Sequence, residues 1–169
     1  GLVPVGNRTK VINDVYESVT GEIYMDSRKN FMAINTPNLQ GICAEAKTKY
    51  LDLPNFKIEE MSVKGNLAAV SVEPAKSLQN TGRIVVVYAT DALNNKMVFD
   101  EKERITLRDN GTSPVLVESG KFTVTVRNDN AGQFKIYALD MSGNRSEEIP
   151  ALSAKANEVT FTVDTAKLA

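Results

Sequence analysis

The 169-residue chain has no histidine, no tryptophan and one cysteine. Without histidine there is no Ser-His-Asp or Cys-His nucleophilic machinery and no zinc site with an imidazole ligand. Cys43 can close no internal disulfide and build no thiolate cluster, so it is expected to be a small apolar core residue on a strand. Carboxylates crowd together at Glu59-Glu60, at Glu101 with Glu103 and at Glu147-Glu148. Glycoside hydrolysis needs two carboxylates about 5 to 9 Å apart across the scissile bond, whereas neighbours on a strand point to opposite faces. These pairs therefore read as solvated surface charge. Asp140-Met141-Ser142-Gly143-Asn144 begins like a calcium loop, but such a loop needs glycine at its sixth place and a carboxylate at its twelfth. Arg145 and Ala151 stand there. A hairpin turn with Gly143 or Asn144 at positive φ is the expectation instead. No catalytic residue, metal or cofactor is expected.

Aromatic platforms that stack on sugars are the remaining chemistry to weigh. Of the five tyrosines, Tyr88 and Tyr137 lie in strong strand patterns and are expected in the core or at its edge. Tyr24 and Tyr50 are the ones expected at the surface, where they are the candidates for carbohydrate binding, with packing or a domain interface as the alternative.

The elements that must position these residues are strands. Phe122, Val124 and Val126 alternate with Lys121, Thr123, Thr125 and Arg127, and Val159, Phe161 and Val163 alternate with Glu158, Thr160, Thr162 and Asp164. Period two with one polar face is the mark of a half-buried strand. Residues 133–139 alternate as well, and Asn128-Asp129-Asn130-Ala131-Gly132 between suggests a hairpin of 121–127 with 133–139. Further strands are expected near 20–25, 29–35, 38–44, 56–61, 66–73, 83–90, 104–108 and 115–118. The run Ile84-Val85-Val86-Val87-Tyr88 does not alternate and is read as a central strand buried on both faces. Helical signals are confined to 44–50 and 74–78, each a turn or two at most. The fold class is therefore all-β, an antiparallel β-sandwich of immunoglobulin-like or jelly-roll-like kind. Residues 1–16 are expected to form a linker or edge segment and 17–169 a single domain, with a weak seam near 109–114.

Twenty basic and 21 acidic residues are mixed along the chain, for a net charge of -1. Nothing electrostatic draws it to nucleic acid or an anionic membrane, and no apolar run approaches the roughly 20 residues of a membrane-spanning helix. The opening residues lack the basic start and apolar centre of a signal peptide.

One family likeness is carried by several stretches in consistent order over about residues 20 to 163. "TGEIYMDSRKNFMAINTPNLQG" at 20–41, "RIVVVYATDALNNKM" at 83–97, "SPVLVESGKFTVTVRN" at 113–128 and "IYALDMSGNRSEEIP" at 136–150 resemble the C-terminal β-sandwich accessory domains of bacterial multidomain glycoside hydrolases with TIM-barrel catalytic domains. Thr20-Gly21-Glu22, Thr36-Pro37 and Gln40 match that pattern, whereas Met25 replaces its usual tryptophan and Asn35 its usual aspartate. The resemblance implies a non-catalytic domain, partnered by a catalytic domain of the same polypeptide or complex, in an extracytoplasmic setting. A carbohydrate-binding module with polysaccharide as partner, and a surface adhesion or protein-binding sandwich, are the alternatives. If the domain braces a catalytic barrel, one of its faces should be more apolar than a free monomer tolerates.

Thr36, Pro37 and Gln40 are expected to form a structural corner. Pro37 cannot donate to a ladder, the proline holds Thr36 extended, and Gln40 is expected to tie down the backbone groups that the break leaves free.

Overall fold

A computed structural model describes residues 10–168, and the side chains of all of these except 10 and 48–50. Among the described residues, eighteen strands carry the fold. β1 (Lys10–Ile12), β2 (Val15–Glu17), β3 (Ile23–Asp26), β4 (Phe31–Asn35), β5 (Leu39–Ala44), β8 (Gly65–Ser71) and β9 (Ile84–Ala89) lie side by side in that order as a seven-stranded antiparallel sheet. β17 (Ala151–Lys155), β18 (Glu158–Asp164), β14 (Lys121–Arg127), β7 (Phe56–Met61) and β6 (Thr48–Asp52) form a five-stranded one. The two pack face to face as a sandwich. Ile42, Leu67 and Ala69 of the first meet Phe56, Ile58, Phe122, Val124, Val159 and Phe161 of the second in one core. Phe122 belongs to it, edge-on to Tyr88 at 5.2 Å and to Phe161 at 6.5 Å between ring centroids.

Two-stranded ribbons make up the remainder. β10 (Ala92–Asn95) pairs with β13 (Thr112–Val117), and β11 (Val98–Phe99) with β12 (Leu107–Asp109). Both lie between β9 and β14 in the chain, with β11 and β12 nested inside β10 and β13 as one ribbon. Register shifts at Asn94/Asn95 and Val98/Phe99 bend it, and Arg104 reaches back to Asp91 at its base. β15 (Ile136–Leu139) pairs with β16 (Arg145–Ile149) across the predicted turn, where Gly143 has φ +82°. Asp140 holds that turn by accepting from the backbone N–H groups of Ser142 and Asn144 at 2.9 and 2.8 Å.

Alternation was a sound guide where one face is wet. β14 and β18 bury Phe122, Val124, Val126, Val159, Phe161 and Val163 as expected. Three readings are corrected. The 121–127/133–139 hairpin does not form: β14 is flanked by β18 and β7, and residues 131–133 make a 3-10 turn. Asn128 turns the chain aside, its fully buried carboxamide donating to the Leu78 and Thr81 carbonyls at 2.8 and 2.9 Å. Residues 44–50 are not helical, because β5 runs to Ala44 and β6 starts at Thr48; residues 74–78 form turns, and the 3-10 turns lie instead at 27–29, 131–133 and 165–167. β9 is an edge strand, not a central one, with Val87 50% exposed.

Candidate functional site

Three places on the sandwich are candidates for a functional site: a corner cleft, a smaller aromatic notch and the outer face of the seven-stranded sheet. The corner contains Thr36, Pro37 and Gln40. β4 ends at Asn35 and β5 begins at Leu39, so Pro37 lies in the connecting turn where no ladder bond is asked of it. The groups around the break are tied by Thr36: its hydroxyl accepts from Leu39 N at 2.9 Å, and its own N–H donates to Leu39 O at 2.9 Å. Gln40 does something other than the expected local repair. Only 2% exposed, it reaches across the sandwich to accept from Asn55 N at 2.7 Å. The Asn55 amide donates onward to Gln79 Oε1 at 2.7 Å and to Arg127 O at 3.1 Å, and Gln79 in turn donates to Asp129. This chain of amides joins the two sheets and borders a cleft of about 390 Å³. Asn55 and Gln79 were not foreseen from sequence, since polar residues in turns carry no periodic signal.

Tyr24 and Phe31 meet edge-to-face, 6.1 Å between centroids, beside a notch of about 240 Å³ that Asp26 and Lys29 also line. Asp26 is 1% exposed. Burial pushes its carboxyl up, but the Lys29 ammonium at 3.1 Å and the neighbouring Arg28 outweigh this and hold it below the ordinary value. It also caps the 27–29 turn by accepting from Arg28 N at 3.2 Å, which is a structural task. Tyr50 sits on β6, in the other sheet from Tyr24, and its side chain lies outside the described residues.

The outer face follows from register. Directly opposed residues of an antiparallel ladder point to the same side. One row runs Val11, Tyr16, Met25, Met32, Cys43, Asn66, Ala89; the next Ile23, Ile34, Gly41, Ala68, Val87; the third Leu39, Val70, Val85. These fifteen positions carry no charge, and Asn66 and Tyr16 are the only ones with a polar group. The strand neighbours between them, such as Ile42, Leu67 and Ala69, face the core. None of the fifteen belongs to the core; Val11, Tyr16, Ile23, Met25 and Val87 are 36–57% exposed. Cys43 thus lies on a strand as expected, but on this outer face and not in the core. At mid-face the strands come close: a Cβ on Gly41 would lie 2.4 Å from that of Ala68. The signal for this face was present in the non-alternating run at 84–88. Apolar residues on both sides of a strand mean two apolar surroundings, and only one of them is the core.

Among the described residues no three His, Cys, Asp or Glu side chains converge to hold a metal ion, and no helix is long and apolar enough to cross a membrane. No protein-family model, no curated protein and no solved structure matches the chain.

Proposed function

We propose that this chain is the non-catalytic accessory domain of a bacterial carbohydrate-active enzyme, acting outside the cytoplasm, and that it braces the catalytic domain of the same polypeptide or complex. The observation that carries the reading is the uncharged outer face of the seven-stranded sheet. With strands about 4.8 Å apart and alternate residues about 6.8 Å apart, each same-face position covers about 33 Å². Fifteen positions then span on the order of 500 Å². Seven of the fifteen are exposed, seven half-buried and Gly41 buried, an extent comparable with the largest apolar patch of a soluble monomer, which is often functional. The face lacks the lysines and glutamates that keep a solvent-facing sheet from associating. The partner it fits is another folded domain with an equally uncharged surface, as the order of motifs over residues 20 to 163 also suggests.

The experiment is to express the catalytic domain from the same gene separately, mix the two and follow complex formation by sedimentation velocity. The Ile34→Lys/Val87→Lys double variant should weaken the complex by at least about 2 kcal/mol, since it buries charges without partners. A Thr123→Lys/Thr162→Lys variant on the opposite outer face should leave it unchanged. A gene with no catalytic domain beside this one, or equal binding by all three proteins, would sink the proposal.

A further inference from the structure

We propose that the corner cleft is a binding site for an uncharged saccharide, with Asn35, Gln79 and the rings of Pro37 and Pro54 as its contact surface. Four carboxamides arrive there from four separate stretches: Asn35 at the end of β4, Gln40 on β5, Asn55 ahead of β7, and Gln79 in the connection from β8 to β9. Three of them are already fixed. Gln40 is held by Asn55, Asn55 by Gln79 and the Arg127 carbonyl, and Gln79 by Asp129. Their orientations are set before a ligand arrives, which removes part of the ordering cost of binding.

Asn35 is the exception. It lies opposite Gln40 in register, on the same side of the sheet, yet among the described residues its carboxamide has no hydrogen-bond partner. It is half-buried at the cleft wall. A carboxamide offers two donors and an acceptor, which is what neighbouring sugar hydroxyls need, since each both donates and accepts. The proline rings add apolar surface for the C–H side of a pyranose.

The lining also excludes other classes. It holds no lysine or arginine to attract an anion and no carboxylate to attract a cation. An apolar ligand would leave the half-buried Asn35 carboxamide without a partner, which is unfavourable. The volume of about 390 Å³ falls in the range of small-molecule sites. Asn35 and Gln40 point toward the core side of their strands, so this cleft is separate from the apolar outer face. It stands or falls independently of the bracing role.

The test is a titration of the intact chain, followed by the side-chain amide signals in nitrogen–proton correlation spectra. Glucose, galactose, mannose, cellobiose and lactose are the neutral probes, and glucuronate is the charged control. At least one neutral probe at tens of millimolar should shift the Asn35 and Gln79 amide signals, and glucuronate should bind more weakly than glucose. Asn35→Ala should weaken binding roughly tenfold or more with its melting temperature unchanged, because that amide has no hydrogen-bond partner among the described residues. Gln79→Glu, which keeps the shape of the side chain and adds a charge, is the second variant and should also weaken the neutral probes. Silence of both amide signals with every neutral probe, preference for glucuronate, or undiminished binding by both variants would overturn the assignment.

Discussion

Thr123, Thr125, Thr160 and Thr162 line the outer face of the five-stranded sheet; Ile23, Ile34, Ala68 and Val87 line that of the seven-stranded sheet. On the first, hydroxyls pair across strands, Thr123 with Thr162 at 2.7 Å and Thr125 with Thr160 at 2.8 Å. Opposite charges face one another in register there: Lys57 with Asp52, Arg127 with Glu158, Lys121 with Asp164. Such pairs each stabilise a sheet modestly in water. The second face has no such pair and no charge. Both sheets contribute apolar residues to the shared core, so the difference is not about holding the sandwich together. It separates a surface finished with hydroxyl and charge pairs from one that has neither.

Four measurements can break or sharpen that contrast. The largest effect is expected where the sheets are alike. Phe122→Ala removes a ring that packs between the sheets, against Tyr88 and Phe161, and should cost about 3–5 kcal/mol in urea unfolding; a loss below about 1 kcal/mol would mean that the sheets do not share a core. Next comes the tie between them. Gln40→Ala leaves the Asn55 N–H buried without its acceptor and should cost about 1–3 kcal/mol, read from the same unfolding curves.

Acid should then distinguish the faces. Asp52 is held below its ordinary value by its hydrogen bond to Arg127, and Glu158 by its bond to Lys155. Glu73, bonded by Gly82 N and the Thr81 hydroxyl, and Asp140, bonded by Asn144, are lowered as well. A carboxyl lowered in the folded state contributes stability that is full above its unfolded value, near pH 4, and is lost as pH falls through the folded value. The melting temperature should therefore hold from about pH 7 to 5 and fall below about pH 4. Docking through the uncharged face should show no dependence on pH between about 5 and 8 or on salt; a strong salt dependence would show that charges mediate it.

The smallest effect belongs to the wet face. Thr160→Val removes one hydroxyl pair and should change stability by about 0.2–1 kcal/mol without altering association.

Much of this was legible in the chain. Period two at 121–127 and 158–164 gave the strands, their buried faces and their polar outer faces together, because each residue's environment is set by its own strand. Pro37 marked the turn between β4 and β5 for the same local reason. Gln40 was legible as a structural residue but not by its partner: Asn55 is fifteen residues away along the chain, and no local pattern connects them. The run at 84–88 showed an apolar strand, yet burial depends on what stands on each side. Only the sheet order reveals that β9 is an edge.

What the sequence determined by itself is the strand-forming pattern, the turns, and a chemistry without imidazole. Side-chain type and spacing suffice for these, since they act within a few residues. The tertiary structure alone decided that Met25, Met32, Ile34, Ala68 and Val87, scattered over more than sixty positions of chain, share one uncovered surface. It also decided that four amides meet at one corner. Both depend on strand order and register, which are fixed by packing between distant segments and leave no periodic trace along the chain.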